Sequence, residues 1–215
     1  IKFMEGIFMI YNLYYVHDPM CSWCYAFKPT LDELKKHLAP NMKIIYVVGG
    51  LAKHSDEPMP MEMREKIENI WYEIEEVVGT KFNHDFWKNC TPRRSTYLAC
   101  QATMLARYEN KEDEMINAIQ EAYYQKAQNP SDASTLIALA KQIGMDEKKF
   151  EEDLKSQKIE DDLQEELNLR RSLYVRNFPS LILQYKKELY PINIKYNDYE
   201  NMLKQINNLV ENSYF

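Results

Sequence analysis

Apolar residues fall along this chain in rhythms that change twice. Tyr11–His17 (YNLYYVH) is aromatic and β-branched, which predicts a strand buried on both faces. Asp18-Pro19 stops it. From Cys21 to Leu38 the apolar positions Phe27, Leu31, Leu34 and Leu38 recur at helical spacing, with Pro29 placed to kink that helix rather than end it. Met42–Val48 (MKIIYVV) predicts a second strand, closed by Gly49-Gly50. Strand, helix, strand in that order predicts a right-handed βαβ unit.

The rhythm then becomes helical throughout. Met61–Val78 carries Ile67, Ile70, Trp71, Ile74, Val77 and Val78 on one stripe. Thr91-Pro92 has the form of an N-cap followed by proline at the first helical position, opening a helix through Tyr97, Leu98, Ala102 and Leu105. Glu112–Gln128 and Asp132–Ile143 follow, the latter between an Asp cap and Gly144. Asp146 caps another helix, and Ile159, Leu163 and Leu167 mark the last. About six helices and no strand are expected in this stretch, with no repeat period.

Strand character returns at Ser180–Tyr185 (SLILQY), just after Pro179, and again at Leu189–Ile194 beyond the charged turn Lys186-Lys187-Glu188. Two such runs so close together predict an antiparallel hairpin. Asp198–Val210 closes as a helix through Tyr199, Met202, Leu203, Ile206 and Leu209. The expected order is βαβ, a helical block, then ββα. Residues 9–50 and 174–215 are expected to share one sheet, with 51–173 a helical insertion between them.

Composition narrows the partners. Hydrophobic content of 45% and charged content of 28% are those of a globular domain. A net charge of −6 and the lack of basic clusters argue against nucleic acid and anionic membrane, and Arg93-Arg94 and Arg170-Arg171 read as solvated helix faces. No apolar stretch approaches the roughly 20 residues that span a bilayer. Ile7–Ile10 is short, lacks an Ala-x-Ala-type cleavage site and reads as the lead-in to a strand. Four cysteines do not make a disulfide-dense secreted framework, so a cytoplasmic location is expected, or a periplasmic or secreted one if a signal peptide has been removed.

Cys21-Ser22-Trp23-Cys24 supplies the chemistry. Two thiols three residues apart on a first helical turn can close a disulfide and reopen it. The helix N-terminus aims unpaired N–H groups and partial positive charge at the first sulfur, favouring its thiolate. Cys21 is expected to be exposed, and Cys24, a turn further in, to be buried. Half of a zinc site, or two inert core thiols, is the competing reading of the pair. Opposite the sulfurs such a site needs a proline-bearing backbone segment, and Phe178-Pro179, just before the third strand, fits. A cis bond there would present the Phe178 backbone to an extended substrate.

The stretch Asp18-Pro19-Met20-Cys21-Ser22-Trp23-Cys24-Tyr25-Ala26-Phe27, with Val175-x-x-Phe178-Pro179-Ser180, resembles the DsbA-like thioredoxin-fold proteins, in particular the FrnE-like branch. The resemblance implies an α/β thioredoxin fold with a large all-helical insertion, and thiol–disulfide oxidoreductase or isomerase activity. It implies Cys21 as attacking thiolate, Cys24 as resolving thiol and Pro179 as the cis-proline, with Ser22, Trp23 and Phe178 completing the substrate-binding surface. Expected partners are protein or peptide thiols and disulfides, with glutathione or a thioredoxin-type protein for recycling. Oxidising members place a histidine between the cysteines, whereas this chain has Ser22-Trp23.

Two other readings share the fold. Glutathione-transferase kappa-like proteins and 2-hydroxychromene-2-carboxylate isomerases use a single Ser or Cys with glutathione, and Thr91-Pro92-Arg93-Arg94-Ser95 resembles a segment of theirs. A non-enzymatic binding or chaperone module is the third. Cys90 and Cys100 are expected to be reduced structural thiols, with a disulfide or an auxiliary redox role as the alternatives. His17, His37, His54 and His84 lack metal-ligand spacing, so no metal is expected; His17 either finishes a strand or stabilises a thiolate. Without G-x-G-x-x-G or a phosphate loop, no nucleotide cofactor is expected. No acid can be picked out as proton acceptor for Cys24.

Overall fold

The computed structural model describes residues 10–212. Most of the expected lead-in at Ile7–Ile10 therefore lies outside the described residues. Strand β1 (Tyr11–His17) runs parallel to β2 (Met42–Val48), joined through helix α1 (Ser22–His37). Strands β3 (Ser180–Tyr185) and β4 (Glu188–Ile192) form the predicted antiparallel hairpin, and β3 pairs antiparallel with β1. The sheet order is β2-β1-β3-β4, so the two ends of the chain share one sheet. β1 lies inside it: Tyr11, Leu13, Tyr15 and His17 on one face are buried, whereas on the other Val16 is buried and Asn12 and Tyr14 are half-buried, so the strand is less fully enclosed than expected.

Those two faces pack against different parts of the chain. Tyr11, Leu13 and Tyr15 meet Phe27, Leu31 and Leu34 of α1 and Met202 and Ile206 of α9 (Tyr199–Asn212). Val16, Val47 and Ile182 face the other way, onto Leu173 and Val175. α1 continues through Pro29.

Between β2 and β3 the described residues hold seven helices and no strand, against the six expected. α2 (Met61–Val77), α4 (Tyr97–Tyr108), α5 (Glu112–Tyr124), α6 (Ala133–Gln142), α7 (Glu147–Leu154) and α8 (Gln157–Ser172) follow the apolar stripes, and α3 (Phe86–Asn89) is a single turn. The thioredoxin fold with a helical insertion is what the chain adopts. The insertion's core takes in Met20, Ala26 and Val48 as well as its own Trp71, Cys100, Ile119 and Leu163. Helices and sheet thus meet at the end of β1 and β2 where the Cys-x-x-Cys turn lies.

Several local expectations are corrected. Thr91-Pro92 does not open a helix: α4 starts at Tyr97, with Thr96 as its N-cap. The Pro92 carbonyl instead accepts from Met59 N (2.7 Å), and Arg93 bridges to Pro58, so the segment lies extended across the entry to α2. α5 ends at Tyr124 rather than Gln128, and Ala127 beyond it takes a left-handed φ of 50°. β4 starts one residue early and stops at Ile192. Asp146 caps α7 by accepting from Lys149 N, whereas Asp132 gives its carboxylate to Arg93. Ser156 caps α8, accepting from Ile159 N.

Three ionic side chains tie the insertion to the edge of the sheet. Glu166 of α8 accepts from Val48 N (2.7 Å) and from the Arg107 guanidinium, which also pairs with Glu112 (2.7 Å). The edge strand β2 is thereby covered rather than left as a free template.

Candidate active site

β1 delivers the chain to the site, and Asp18 shapes the turn. Its backbone carbonyl accepts from Cys21 N (3.0 Å) and its Oδ1 from Met20 N (2.9 Å). Cys21 then stands as the N-cap residue of α1, in extended conformation, and Cys24 lies one turn in. Cys24 has no exposure; Cys21 has 8%. Cys21 is therefore buried rather than exposed, contrary to what its position at a helix start suggests. All four cysteines are free thiols, and Cys90 and Cys100 lie apart from the pair in sequence and in bonding.

Phe178 reaches the site from the far end of the chain. Its carbonyl oxygen accepts from Cys21 Sγ at 3.6 Å, and the Phe178–Pro179 peptide is cis. Two residues outside the motif hold it there. A Cβ at Gly49 would stand 2.3 Å from Cζ of the Phe178 ring, so only glycine admits that ring. Arg170 donates to the Gly49 carbonyl (2.7 Å) and lies over the Phe178 ring at 5.9 Å. Arg170 is thus not the solvated side chain expected of the Arg170-Arg171 pair.

The groups behind the sulfurs are buried. Burial pushes the Cys24 thiol well up, and the neighbouring Cys21 sulfur adds to this. Burial also raises the Tyr15 phenol, and the charge of either sulfur would raise it further. Asp18, fully buried, has its carboxyl raised by desolvation, against donors at Leu51 N (2.7 Å), Thr96 Oγ1 (2.7 Å), Met20 N and Cys100 Sγ (3.5 Å). Sequence reading missed Asp18 as an acid because, placed before Pro19, it looked like turn punctuation.

His17 finishes β1, the plainer of its two expected roles. Its ring is buried, stacked on Tyr15 at 5.0 Å, and neither ring nitrogen has a hydrogen-bond partner. Burial drops its pKa to about 3, so the ring is neutral at pH 7 and lends no charge to a thiolate.

A pocket of about 450 Å³ opens beside Cys21. The sequence-predicted Ser22, Trp23 and Phe178 line it, and Pro179 follows directly behind. α2 contributes Ile67, Ile70 and Trp71. Trp23 packs on Tyr196 at 5.0 Å. Arg93 and Arg94 line it too, instead of forming a solvated helix face, and Arg93 is neutralised by Asp132 (2.6 Å). Among the described residues, no group of three or more His, Cys, Asp or Glu could hold a metal, and no helix is long and apolar enough to cross a membrane.

The chain was compared with known proteins on this basis. The family model described as DSBA-like thioredoxin domain matches residues 13–203. Two curated relatives are named ClpXP adapter protein SpxH. The one from Halalkalibacterium halodurans is 26% identical over 151 residues, covering 67% of this chain and 49% of that protein. The one from Bacillus subtilis is 22% identical over 200 residues, covering 89% and 66%. The chain thus spans about half to two thirds of the curated relatives it matches.

Among solved structures, one provisionally assigned as a protein disulfide isomerase from Nitrosomonas europaea has a TM-score of 0.82 at 22% identity, covering 94% of this chain and 98% of its own. The cytosolic disulfide reductase DsbM from Pseudomonas aeruginosa has a TM-score of 0.74 at 19% identity, covering 92% and 99%, and is also known with GSH. A 2-hydroxychromene-2-carboxylate isomerase has a TM-score of 0.67 at 14% identity, covering 94% and 98%. These likenesses establish the fold.

Proposed function

The chain belongs to the DSBA-like thioredoxin domain family, and on that footing we propose that it is a thiol–disulfide oxidoreductase working through Cys21 and Cys24. The observation that carries the reading is the placement of Cys21 Sγ at the start of α1, 3.6 Å from the Phe178 carbonyl, with Cys24 sealed behind it. One sulfur faces substrate and the other waits inside.

The reaction is two displacements. Cys21 thiolate attacks a substrate disulfide, forming a Cys21–substrate bond and releasing one substrate thiolate. Cys24, losing its proton, attacks Cys21 Sγ, closes Cys21–Cys24 and releases the second thiolate; two electrons have passed to the substrate. Oxidation of a substrate dithiol is the reverse. Burial raises the Cys24 thiol, so it stays protonated while Cys21 acts as the nucleophile. Asp18, whose buried carboxyl holds a proton more readily than an exposed one and whose charge would raise the Cys24 thiol, is the candidate acceptor of the Cys24 proton.

Ser22, Trp23, Phe178 and Pro179 form the substrate-binding surface, on a thioredoxin-like unit of 9–50 and 174–215, with 51–173 as the insertion above it. Substrates are protein or peptide thiols and disulfides. Glutathione or a thioredoxin-type protein resets the pair, and the GSH-bound reductase of the same fold supports the former. The cytosolic location in that neighbour's name supports a cytoplasmic one here. Reduction of insulin by dithiothreitol tests the reading: the wild-type protein accelerates it and Cys21→Ser does not.

Two observations keep other readings in view. The Arg93-Arg94-Ser95 segment lines the pocket beside Cys21, which favours a glutathione-dependent isomerase; turnover with glutathione that survives Cys24→Ser would select it. Both curated relatives are adapters, which favours a binding module; a protein inert in every exchange assay would select that.

A further inference from the structure

The pocket beside Cys21 carries a charge opposite to that of the whole chain. Lys66 comes from α2, Arg94 from the extended segment before α4, and Arg176 from the loop before β3. All three are exposed, and among the described residues none of their side chains makes an ion pair or hydrogen bond. Arg93, the fourth cation of the lining, is already matched by Asp132. Among the described residues no Asp or Glu lines the pocket, although the chain has 33 of them and a net charge of −6.

Unpartnered lysines and arginines are common on protein surfaces, each worth little on its own. Here three from well-separated parts of the chain converge on one concave site beside a nucleophilic sulfur. A recess with apolar walls such as Ile67, Ile70 and Trp71 focuses their field and raises the local concentration of anions. At physiological salt the field of each such cation falls off over a screening length of about 8 Å.

We propose that this pocket selects thiols and disulfides flanked by carboxylates. The proposal rests on the exchange reading above and names its substrate class. The anionic flanks meet Lys66, Arg94 and Arg176 while the sulfur faces Cys21. The thiolate leaving in the first displacement is then released among cations, which offset its charge. Two sources share this chemistry: a small anionic thiol that fits within about 450 Å³, and an acidic stretch of polypeptide around a cysteine.

A first experiment needs no turnover. Alkylation of Cys21 in the intact protein by iodoacetate (anionic) and by iodoacetamide (neutral) is followed by peptide mass spectrometry. The rate ratio is referred to that of a free thiol in the same buffer. The ratio in the wild-type protein is expected to be raised about threefold to tenfold, to collapse in 0.5 M salt, and to fall in Lys66→Glu/Arg94→Glu. Arg171→Glu, an exposed charge change on α8 outside the lining, should leave it unmoved.

The second arm measures oxidation of the reduced pair by glutathione disulfide (anionic flanks), 2-hydroxyethyl disulfide (neutral) and cystamine (cationic). The double reversal should slow the first about tenfold, leave the second within twofold and speed the third. Disulfide-linked model peptides with aspartate or lysine flanks separate the two sources: a preference confined to the small disulfide assigns a small thiol, and one shared by peptides assigns acidic polypeptide. An unchanged alkylation ratio in the double variant overturns the proposal, as does a parallel loss with all three disulfides. Failure of every disulfide alongside a charge-dependent alkylation ratio would instead remove the exchange reading and leave the selective pocket standing.

Discussion

Cys21 Sγ and the Phe178 carbonyl oxygen lie 3.6 Å apart although 157 positions separate them in the chain. The antiparallel pairing of β3 with β1 brings them together, since Val16 pairs with Ser180 just beside each of them. The Cys21–Cys24 turn and the Phe178 backbone are thus set by one sheet register. A slip of one residue would turn every side chain of β3 to the wrong face.

Unequal burial predicts unequal cysteines. Cys21→Ser should abolish exchange. Cys24→Ser should still attack substrate but, with no resolving thiol, accumulate mixed disulfides visible by intact mass. In the reduced wild-type protein near neutral pH, Cys21 should alkylate at least ten times faster than Cys24, whose thiol burial holds well up. Comparable rates at the two sulfurs would contradict the assigned roles.

Gly49→Ala should harm both stability and activity. The new methyl meets the Phe178 ring at 2.3 Å, and overpacking of this kind costs about 1–3 kcal/mol. In a chain of this size each kcal/mol lowers Tm by about 2–4 °C. The Phe178 carbonyl must also move, so exchange with peptide disulfides should weaken by more than exchange with a small neutral disulfide. A variant with unchanged Tm and unchanged peptide turnover would show that the ring is not held as described.

Arg107→Ala should loosen the insertion from the sheet. It strands Glu112 and Glu166, both largely buried, and frees the residue that caps Val48 N. Removing one member of such a network costs about 2–4 kcal/mol after allowance for partial exposure of the arginine. Thermal unfolding followed by circular dichroism would read this as a fall in Tm, and an Arg107→Lys variant should recover part of it.

His17 predicts a direction for acid sensitivity. Its folded pKa, about 3, lies below the ordinary 6.5, so the native state disfavours protonation. Its contribution to stability is therefore present above pH about 6.5 and is lost as pH falls towards 3. At 1.36 kcal/mol per pKa unit the loss is at most about 4–5 kcal/mol across that window. Asp18 acts in the opposite sense: its raised pKa gives stability that is present at low pH and lost as pH rises past the ordinary carboxylate range. Urea unfolding from pH 7 to 4 should show a shallower acid loss in His17→Phe than in the wild-type protein, and equal slopes would rule the histidine out as a source.

What could be read without coordinates was what periodicity and covalent spacing encode. The strands β1, β2 and β3, most helices and the Cys21–Cys24 turn follow from local pattern, while Phe178–Pro179 is singled out by its place just before the third strand and by the family resemblance. Residues whose role depends on a distant partner did not. Gly49 looked like the end of a strand, but its lack of a side chain serves a ring 129 positions away. Thr91-Pro92 matched a helix start, yet its carbonyl pairs with Met59 and its neighbour Arg93 pairs with Asp132, and tertiary bonds outweighed the local signal. Asp18 looked like a turn residue because its buried donors, Leu51, Thr96 and Cys100, lie far along the chain. Lys66, Arg94 and Arg176 share no sequence pattern at all; only folding gathers them.

The most direct test of the account is a redox titration of the purified protein in glutathione buffers, with the Cys21–Cys24 disulfide quantified by mass spectrometry after acid quenching. The account predicts a reversible two-electron transition with a midpoint between about −270 and −180 mV, lost in either single Cys→Ser variant. A pair that remains as two thiols in the most oxidising buffer, or that closes and cannot be reopened by glutathione, would contradict it.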